Sequence, residues 1–169
     1  MGVLTTTYHV PTSIKDRVCE NPDLLYQLFY PEDREEGGAS PEEVGLAADW
    51  EPKQFGFDKM WEDYLGLYNQ IDRKDLAYAL ESQVTEVDHG GAWTRYWSPE
   101  QLQRIVEMMN AFSAEELRQQ CQATENLTNY NGEPYEDFML KIMARIHGNF
   151  REFVRTISSG GDFMFAITQ

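Results

Sequence analysis

The sequence has few histidines and cysteines, the residues that build zinc sites and thiol nucleophiles. Among its 169 residues are three histidines and two cysteines, and none of them stands in a C-x-x-C, H-x-x-x-H or H-E-x-x-H spacing. A protein zinc site needs clustered cysteine or histidine ligands, so we expect no structural or catalytic zinc. We interpret Cys19 and Cys121 as small apolar side chains of a protein in a reducing compartment.

The sequence also lacks the motifs of common enzyme classes. It contains no G-x-S-x-G, no G-x-x-x-x-G-K-[ST] and no G-x-G-x-x-G, the patterns typical of serine hydrolases, P-loop proteins and dinucleotide-binding folds. No D-x-D-x-D-G loop indicates calcium binding. We therefore predict no catalytic residues, no metal and no cofactor, and the pattern favours a protein that is not an enzyme.

Long hydrophobic runs are missing too. No stretch approaches the roughly 20 apolar residues that cross a bilayer, and the first ten residues lack the basic and apolar regions of a signal peptide. We expect a cytoplasmic protein with no membrane partner.

Hydrophobic residues nevertheless make up 41% of the chain and aromatic residues 13%, which predicts a folded core and not a disordered chain.

Positive charge is scarce. The chain has 14 basic and 29 acidic residues, for a net charge of −15. Residues 117–169 hold five basic and six acidic residues, so 14 of the 15 excess negative charges lie in residues 1–116. Because an anionic surface repels phosphate, we expect no nucleic-acid partner. Two interpretations stay open: a surface that only keeps the protein soluble, or a face that binds a basic protein.

Periodicity and turn signals predict an α+β fold in one domain over residues 1–169, mostly helical with a small sheet. The segments 3–10 and 163–168 have strand character, and as terminal strands they could pair in that sheet; residues 84–87 are also strand-like. Residues 32–39 are predicted to form an exposed loop. Helices or helical turns are predicted over 12–19, 24–29, 58–71, 75–81, 98–112 and 135–158, with further starts at 40 and 113.

Capping signals mark several of these boundaries. Ser40, Ser98 and Ser113 each precede a predicted helix and have Glu or Gln three residues later, the signature of a capping box. Proline follows the first two of these serines, which suits the first helical position. Gly160 and Gly161 supply the left-handed cap that ends the last helix.

The most unusual segment is an aromatic stretch at 93–97 that follows Gly90 and Gly91, which are predicted to form a turn. Arginine and large aromatic residues dominate binding hot spots, so the stretch could be a recognition loop. Alternatively, its aromatic rings pack in the core of a connecting segment. Asp88 and His89 just before it either form an acid–base pair or are simply exposed turn residues. The candidate binding residues are Trp61, Asp88, His89, Trp93, Arg95, Tyr96 and Trp97.

Several short motifs occur in a characteristic order. They are Met1-Gly2, Pro22-Asp23-Leu24-Leu25 before Leu28-Phe29-Tyr30-Pro31, Asp58-Lys59-Met60-Trp61, Tyr96-x-Ser98-Pro99-Glu100-Gln101, Ser113-x-Glu115-Glu116-Leu117 and Gly160-Gly161-Asp162. In order and spacing they resemble the bacterial YfbM-like family, a domain of unknown function. The resemblance spans nearly the whole chain. It implies an α+β fold and supplies no catalytic residues.

Two functions are consistent with these observations. The first is a non-enzymatic acidic protein that binds a basic protein partner, as an immunity or antitoxin-like inhibitor does; opposite charge would speed that encounter. The second is a small-molecule-binding module or an enzyme built on the aromatic stretch at 93–97.

Overall fold

The computed structural model describes residues 4–33, 38–89 and 92–169. Within these ranges five strands form one antiparallel sheet in the order β2-β1-β5-β4-β3. The strands are β1 (Thr5–Val10), β2 (Gln54–Asp58), β3 (Thr85–Val87), β4 (Trp93–Trp97) and β5 (Phe163–Thr168). Strands β1 and β5 pair from Thr5 opposite Thr168 to Val10 opposite Phe163. The predicted α+β fold and the pairing of its terminal strands are confirmed.

Seven α-helices in the described ranges surround this sheet. They are α1 (Lys15–Glu20), α2 (Asp23–Phe29), α3 (Trp61–Gln70), α4 (Lys74–Glu81), α5 (Pro99–Asn110), α6 (Ala114–Ala123) and α7 (Asp137–Ser158). Ser98 and Ser113 form complete capping boxes at the starts of α5 and α6, as predicted. After α7, Gly161 has the predicted left-handed backbone, with φ +71°.

Strand β5 is buried on both faces and divides the core into two clusters. Met164 and Ala166 belong to the larger cluster, which α3 to α7 complete. Phe165 and Ile167 belong to the smaller cluster, which α1 and α2 complete. Successive strand residues point to opposite faces, so β5 fixes which residues of its neighbours β1 and β4 meet each cluster.

Two secondary-structure predictions, at 93–97 and at 58–60, are wrong. The stretch at 93–97, which we expected to be a recognition loop or a connecting segment, is strand β4. The helix predicted from Asp58 begins at Trp61, because residues 54–58 form the edge strand β2. Phe55 and Phe57 turn inward from β2 in strand alternation, and Asp58 then ends the strand with a φ of +50°.

The helix predicted from Ser40 is a single 3-10 turn, Glu42–Val44. The expected reciprocal hydrogen bonds between Ser40 and Glu43 are present, at 2.7 and 3.4 Å. Gly45 then adopts a left-handed conformation, with φ +84°, and the turn stops there. The Met1-Gly2 motif, the start of the first strand at Val3, residues 34–37 of the predicted loop, and the Gly90-Gly91 turn lie outside the described residues.

A fully buried histidine joins α7 to α3 and to the end of α5. His147 Nε2 donates to the carbonyl of Phe112 at 2.6 Å, and its Nδ1 lies 2.6 Å from the Tyr68 hydroxyl. The Tyr68 hydroxyl donates to the Tyr64 hydroxyl, which lies 3.2 Å from Nδ1. Because a carbonyl can only accept, Nε2 carries a proton. Burial lowers the pKa of His147 to about 4, so the imidazole is neutral at pH 7.

We expect the free energy of unfolding to fall as the pH is lowered from 7 to 5. The unfolded chain takes up a proton at the ordinary histidine pKa of 6.5, whereas folded His147 does so near 4. The unfolded state therefore binds more protons below pH 6.5, and stability is lost as the pH falls through this window. The expected loss by pH 5 is about 2 kcal/mol, measured by urea titration at pH 7, 6 and 5.

The matched variant is His147→Gln, which does not titrate. It should be less stable at pH 7, because it loses buried hydrogen bonds, but its stability should change little between pH 7 and pH 5. If the variant keeps the full pH dependence, a group other than His147 is responsible.

Candidate binding site beside Arg95

Strand β4 places Arg95 in the protein interior. Trp93, Arg95 and Trp97 occupy alternate positions of the strand, so their side chains share one face of the sheet. Arg95 is 0% exposed. Its guanidinium carbon lies 4.1 Å from the ring centroid of Trp93, 5.1 Å from that of Trp61 on α3, and 5.9 Å from that of Trp97. These are cation–π distances.

Most of the hydrogen-bonding capacity of Arg95 is unused. Nη2 donates to the Thr168 hydroxyl at a long 3.5 Å, whereas Nε and Nη1 are buried and have no acceptor in the described protein. Burial lowers the pKa of Arg95 to about 10, against the opposing effect of the Glu81 and Glu86 carboxylates. The guanidinium therefore stays charged at neutral pH.

The charge of Arg95 has no counter-ion in direct contact. No carboxylate in the ranges 4–33, 38–89 and 92–169 forms an ion pair with the guanidinium. Burying a charge without a counter-ion is costly, and buried donors are almost always hydrogen-bonded in native proteins. Arg95 is thus an exception that calls for a physical explanation.

A cavity of about 650 Å³ lies beside this guanidinium, at α3, the end of α4 and the paired ends of β4 and β5. Trp61, Trp93 and Thr168 line the cavity and also contact Arg95, so the guanidinium lies directly behind the wall that they form. Leu65 adds further apolar surface. The volume is within the range of about 300 to 1,000 Å³ that is typical of small-molecule sites.

Trp93 covers the guanidinium on the solvent side. Its side chain is 45% exposed although it stacks on Arg95. The indole Nε1 donates to a carboxylate oxygen of Glu86 at 3.4 Å, which is a long hydrogen bond. The ring that covers Arg95 is therefore weakly held at its outer edge.

Two of the predicted site residues on β4 are used in packing: Trp97 is in the core and Tyr96 is partly buried against it. Trp97 is 0% exposed, and its Nε1 donates to the carbonyl of Ala79 at 2.9 Å. Tyr96 lies on the opposite face of the strand and stacks on Phe165, with 5.0 Å between the ring centroids. Both side chains are used in packing, and Trp61, Trp93 and Arg95 are the predicted residues that meet at the cavity.

His89 and Asp88 lie away from the cavity. His89 Nδ1 is 3.0 Å from the Thr94 hydroxyl, and its Nε2 is 2.9 Å from the Asp23 carboxylate. Thr94 is on the face of β4 opposite Arg95, so the imidazole links β4 to α2 on that side. The carboxylate paired with Nε2 is that of Asp23, and Asp88 is an exposed neighbour.

Sequence reasoning missed several residues of the cavity wall. Glu62, Asn69, Glu81 and Thr168 line it, together with Gly66. Glu62, Gly66 and Asn69 share one face of α3, whereas Glu81 ends α4 and Thr168 belongs to β5. The packing of α3 against α4 and the sheet, and the pairing of β5 with β4, bring these elements together, and no sequence pattern indicates that meeting.

The part of the chain that the structure describes contains neither a membrane-spanning helix nor a metal-binding cluster. No helix there is both long and apolar enough to span a bilayer. No three side chains among histidine, cysteine, aspartate and glutamate gather there in a way that could hold a metal ion.

The family described as "Domain of unknown function (DUF1877)" matches residues 1–162. The chain belongs to this family. Among solved structures it is similar to YfbM from Escherichia coli, a protein of unknown function, with 12% identity, a TM-score of 0.58, and coverage of 98% of this chain and 99% of YfbM. At this identity the likeness shows the fold alone. The predicted membership of a YfbM-like family is confirmed. No curated protein matches the chain.

We expect Arg95→Met to raise the free energy of unfolding by about 1 to 3 kcal/mol, because methionine fills similar space without an unpaired buried charge. Thermal and urea unfolding at pH 7 measure the change. The matched control is Arg155→Met on α7, where an exposed arginine pairs with Glu152 at 3.1 Å. That change should be within about 0.5 kcal/mol. A clear loss of stability in Arg95→Met would show that Arg95 is a net stabilising residue.

Proposed function

We propose that this DUF1877 protein binds a small anionic molecule through Arg95 in the cavity beside it. The observation that carries the proposal is a fully buried, charged guanidinium beside a cavity of about 650 Å³, with two nitrogens that have no acceptor among the described residues. Carboxylate and phosphate oxygens are the acceptors that arginine binds most strongly, through charge-assisted hydrogen bonds. An anion here would supply the missing acceptor and the missing counter-ion together.

Trp93 gives the ligand its access to Arg95. The ring stacks on the guanidinium at 4.1 Å, is 45% exposed, and has only the long bond to Glu86 at its edge. Rotation of this one side chain exposes Arg95 to the cavity without moving the backbone of β4. The displaced ring remains available to pack against the apolar part of the ligand, beside Trp61 and Leu65.

We expect the protein to bind 3-phenylpropanoate more tightly than the neutral 3-phenylpropanamide, by about tenfold or more. The two probes share one apolar skeleton and differ only in charge at the carboxyl group. Isothermal titration calorimetry or ligand-observed NMR at low salt measures both affinities. Equal binding of the two probes would contradict anion recognition.

Two variants assign this binding to the cavity. Arg95→Met should abolish the preference for the carboxylate, whereas Arg155→Met should leave it unchanged. Gly66→Leu should block the cavity while preserving the fold, because no atom lies within 4 Å of a Cβ added at this helical position. Carboxylate binding that survives both Arg95→Met and Gly66→Leu would place it elsewhere.

Binding of a basic protein is a second candidate function, supported by the distribution of charge. Residues 1–116 carry 14 of the 15 excess negative charges. Every described acidic side chain in that part of the chain is exposed except Asp63. Asp63 accepts from the Tyr130 backbone and the Tyr135 hydroxyl, which fixes the segment before α7. The others form an anionic surface that would attract a cationic partner.

The immunity or antitoxin form of this candidate has a direct test. Co-expression with the product of each adjoining gene should yield a complex with a basic protein, and the association rate should fall steeply with added salt. Rescue of growth from the toxicity of that partner is the expected phenotype. The absence of both a complex and a rescue would rule this candidate out.

A further inference from the structure

The cavity presents charges of both signs to a ligand. The guanidinium of Arg95 lies behind its inner wall, whereas the exposed carboxylates of Glu62 and Glu81 belong to its lining. Glu81 also acts electrostatically on Arg95, since its charge favours the protonated guanidinium. The two signs are therefore close together around one space, although no ion pair joins them.

The carboxylates restrict which anions suit this site. A ligand with only negative charge would meet Arg95 favourably but would be repelled by Glu62 and Glu81. A ligand with only positive charge would suit the two glutamates but would leave the buried donors of Arg95 without an acceptor. A molecule with one group of each sign suits both the guanidinium and the two carboxylates.

Part of the cavity wall is apolar. Trp61, Leu65 and Trp93 form this part of the lining. Gly66 adds no side chain next to them, which leaves room for a substituent of the ligand. A compact zwitterionic head with an apolar side chain matches this division of the surface.

We infer that the ligand is a zwitterion of the amino-acid class, with its carboxylate bound to Arg95 and its ammonium group facing Glu81 and Glu62. This inference rests on the anion binding proposed above and names the chemical class of that anion. The side chain of the ligand lies on the apolar wall, where an aliphatic or aromatic group packs best.

Three probes with one phenylethyl skeleton test the inference. Phenylalanine carries both charged groups, 3-phenylpropanoate only the carboxylate, and phenethylamine only the ammonium group. We expect phenylalanine to bind at least about tenfold more tightly than either of the others. Isothermal titration calorimetry with the full chain at pH 7 and low salt measures all three affinities.

Glu81→Gln tests the ammonium group and the carboxylate of the ligand separately. It should weaken phenylalanine binding by about tenfold, because the ammonium group loses its partner, and should strengthen 3-phenylpropanoate binding, because a repelling charge is removed. Glu62→Gln should act in the same directions. The matched control is Glu107→Gln on α5, which is exposed and lies outside the cavity lining; it should change neither affinity.

The outcomes distinguish this inference from the function on which it rests. If 3-phenylpropanoate binds through Arg95 and phenylalanine binds no better, the ligand is a simple anion and only the zwitterion is overturned. If phenethylamine is the tightest probe, or if no probe binds, both the zwitterion and the anion site are overturned. Opposite responses of phenylalanine and 3-phenylpropanoate to Glu81→Gln would support both.

Discussion

Strand β5 lies between β1 and β4, and its backbone hydrogen bonds hold the beginning, middle and end of the chain in one sheet. Because β5 is buried on both faces, its alternation assigns each neighbouring side chain to one of the two core clusters. Arg95 stands opposite Ala166, which faces the larger cluster, and the arginine is thereby directed into the interior. The same pairing brings Thr168 to the wall of the cavity. A shift of register by one residue would turn Arg95 to the other face of the sheet, away from the cavity.

His147 and Arg95 are both buried polar side chains, but they differ in how many of their nitrogens have a hydrogen-bond partner. His147 uses both ring nitrogens and is neutral, so its burial costs little and it joins three helices. Arg95 is equally inaccessible but keeps its charge, and in the described part of the chain two of its nitrogens have no acceptor. The hydrogen bonds of His147 are explained by folding alone. The unused donors of Arg95 are not, and their position beside a cavity indicates binding.

Much of the fold follows from local signals, whereas the site does not. The capping boxes at Ser98 and Ser113, the left-handed Gly161 and the strand character of 163–168 act within a few residues and could be predicted. Strand β4 is hard to predict because a charged residue, Arg95, stands on the same face as Trp93 and Trp97 and interrupts the apolar alternation. For the candidate site, Trp61, Trp93 and Arg95 stand out by residue type. Glu62, Glu81 and Thr168 reach the cavity only through long-range packing, and no sequence pattern encodes their meeting.

Three tryptophan contacts and one long hydrogen bond act against the cost of burying Arg95. Tryptophan contacts with a cation contribute about 0.5 to 2 kcal/mol each, whereas an unpaired buried ion costs several kcal/mol even after the protein relaxes. An apolar side chain would pack between the same rings without this deficit. A ligand present at about 100 times its dissociation constant stabilises the folded state by about 2.7 kcal/mol, which is of the size needed to offset it. Folding leaves two nitrogens of Arg95 without an acceptor among the described residues, and the proposed anion would supply one.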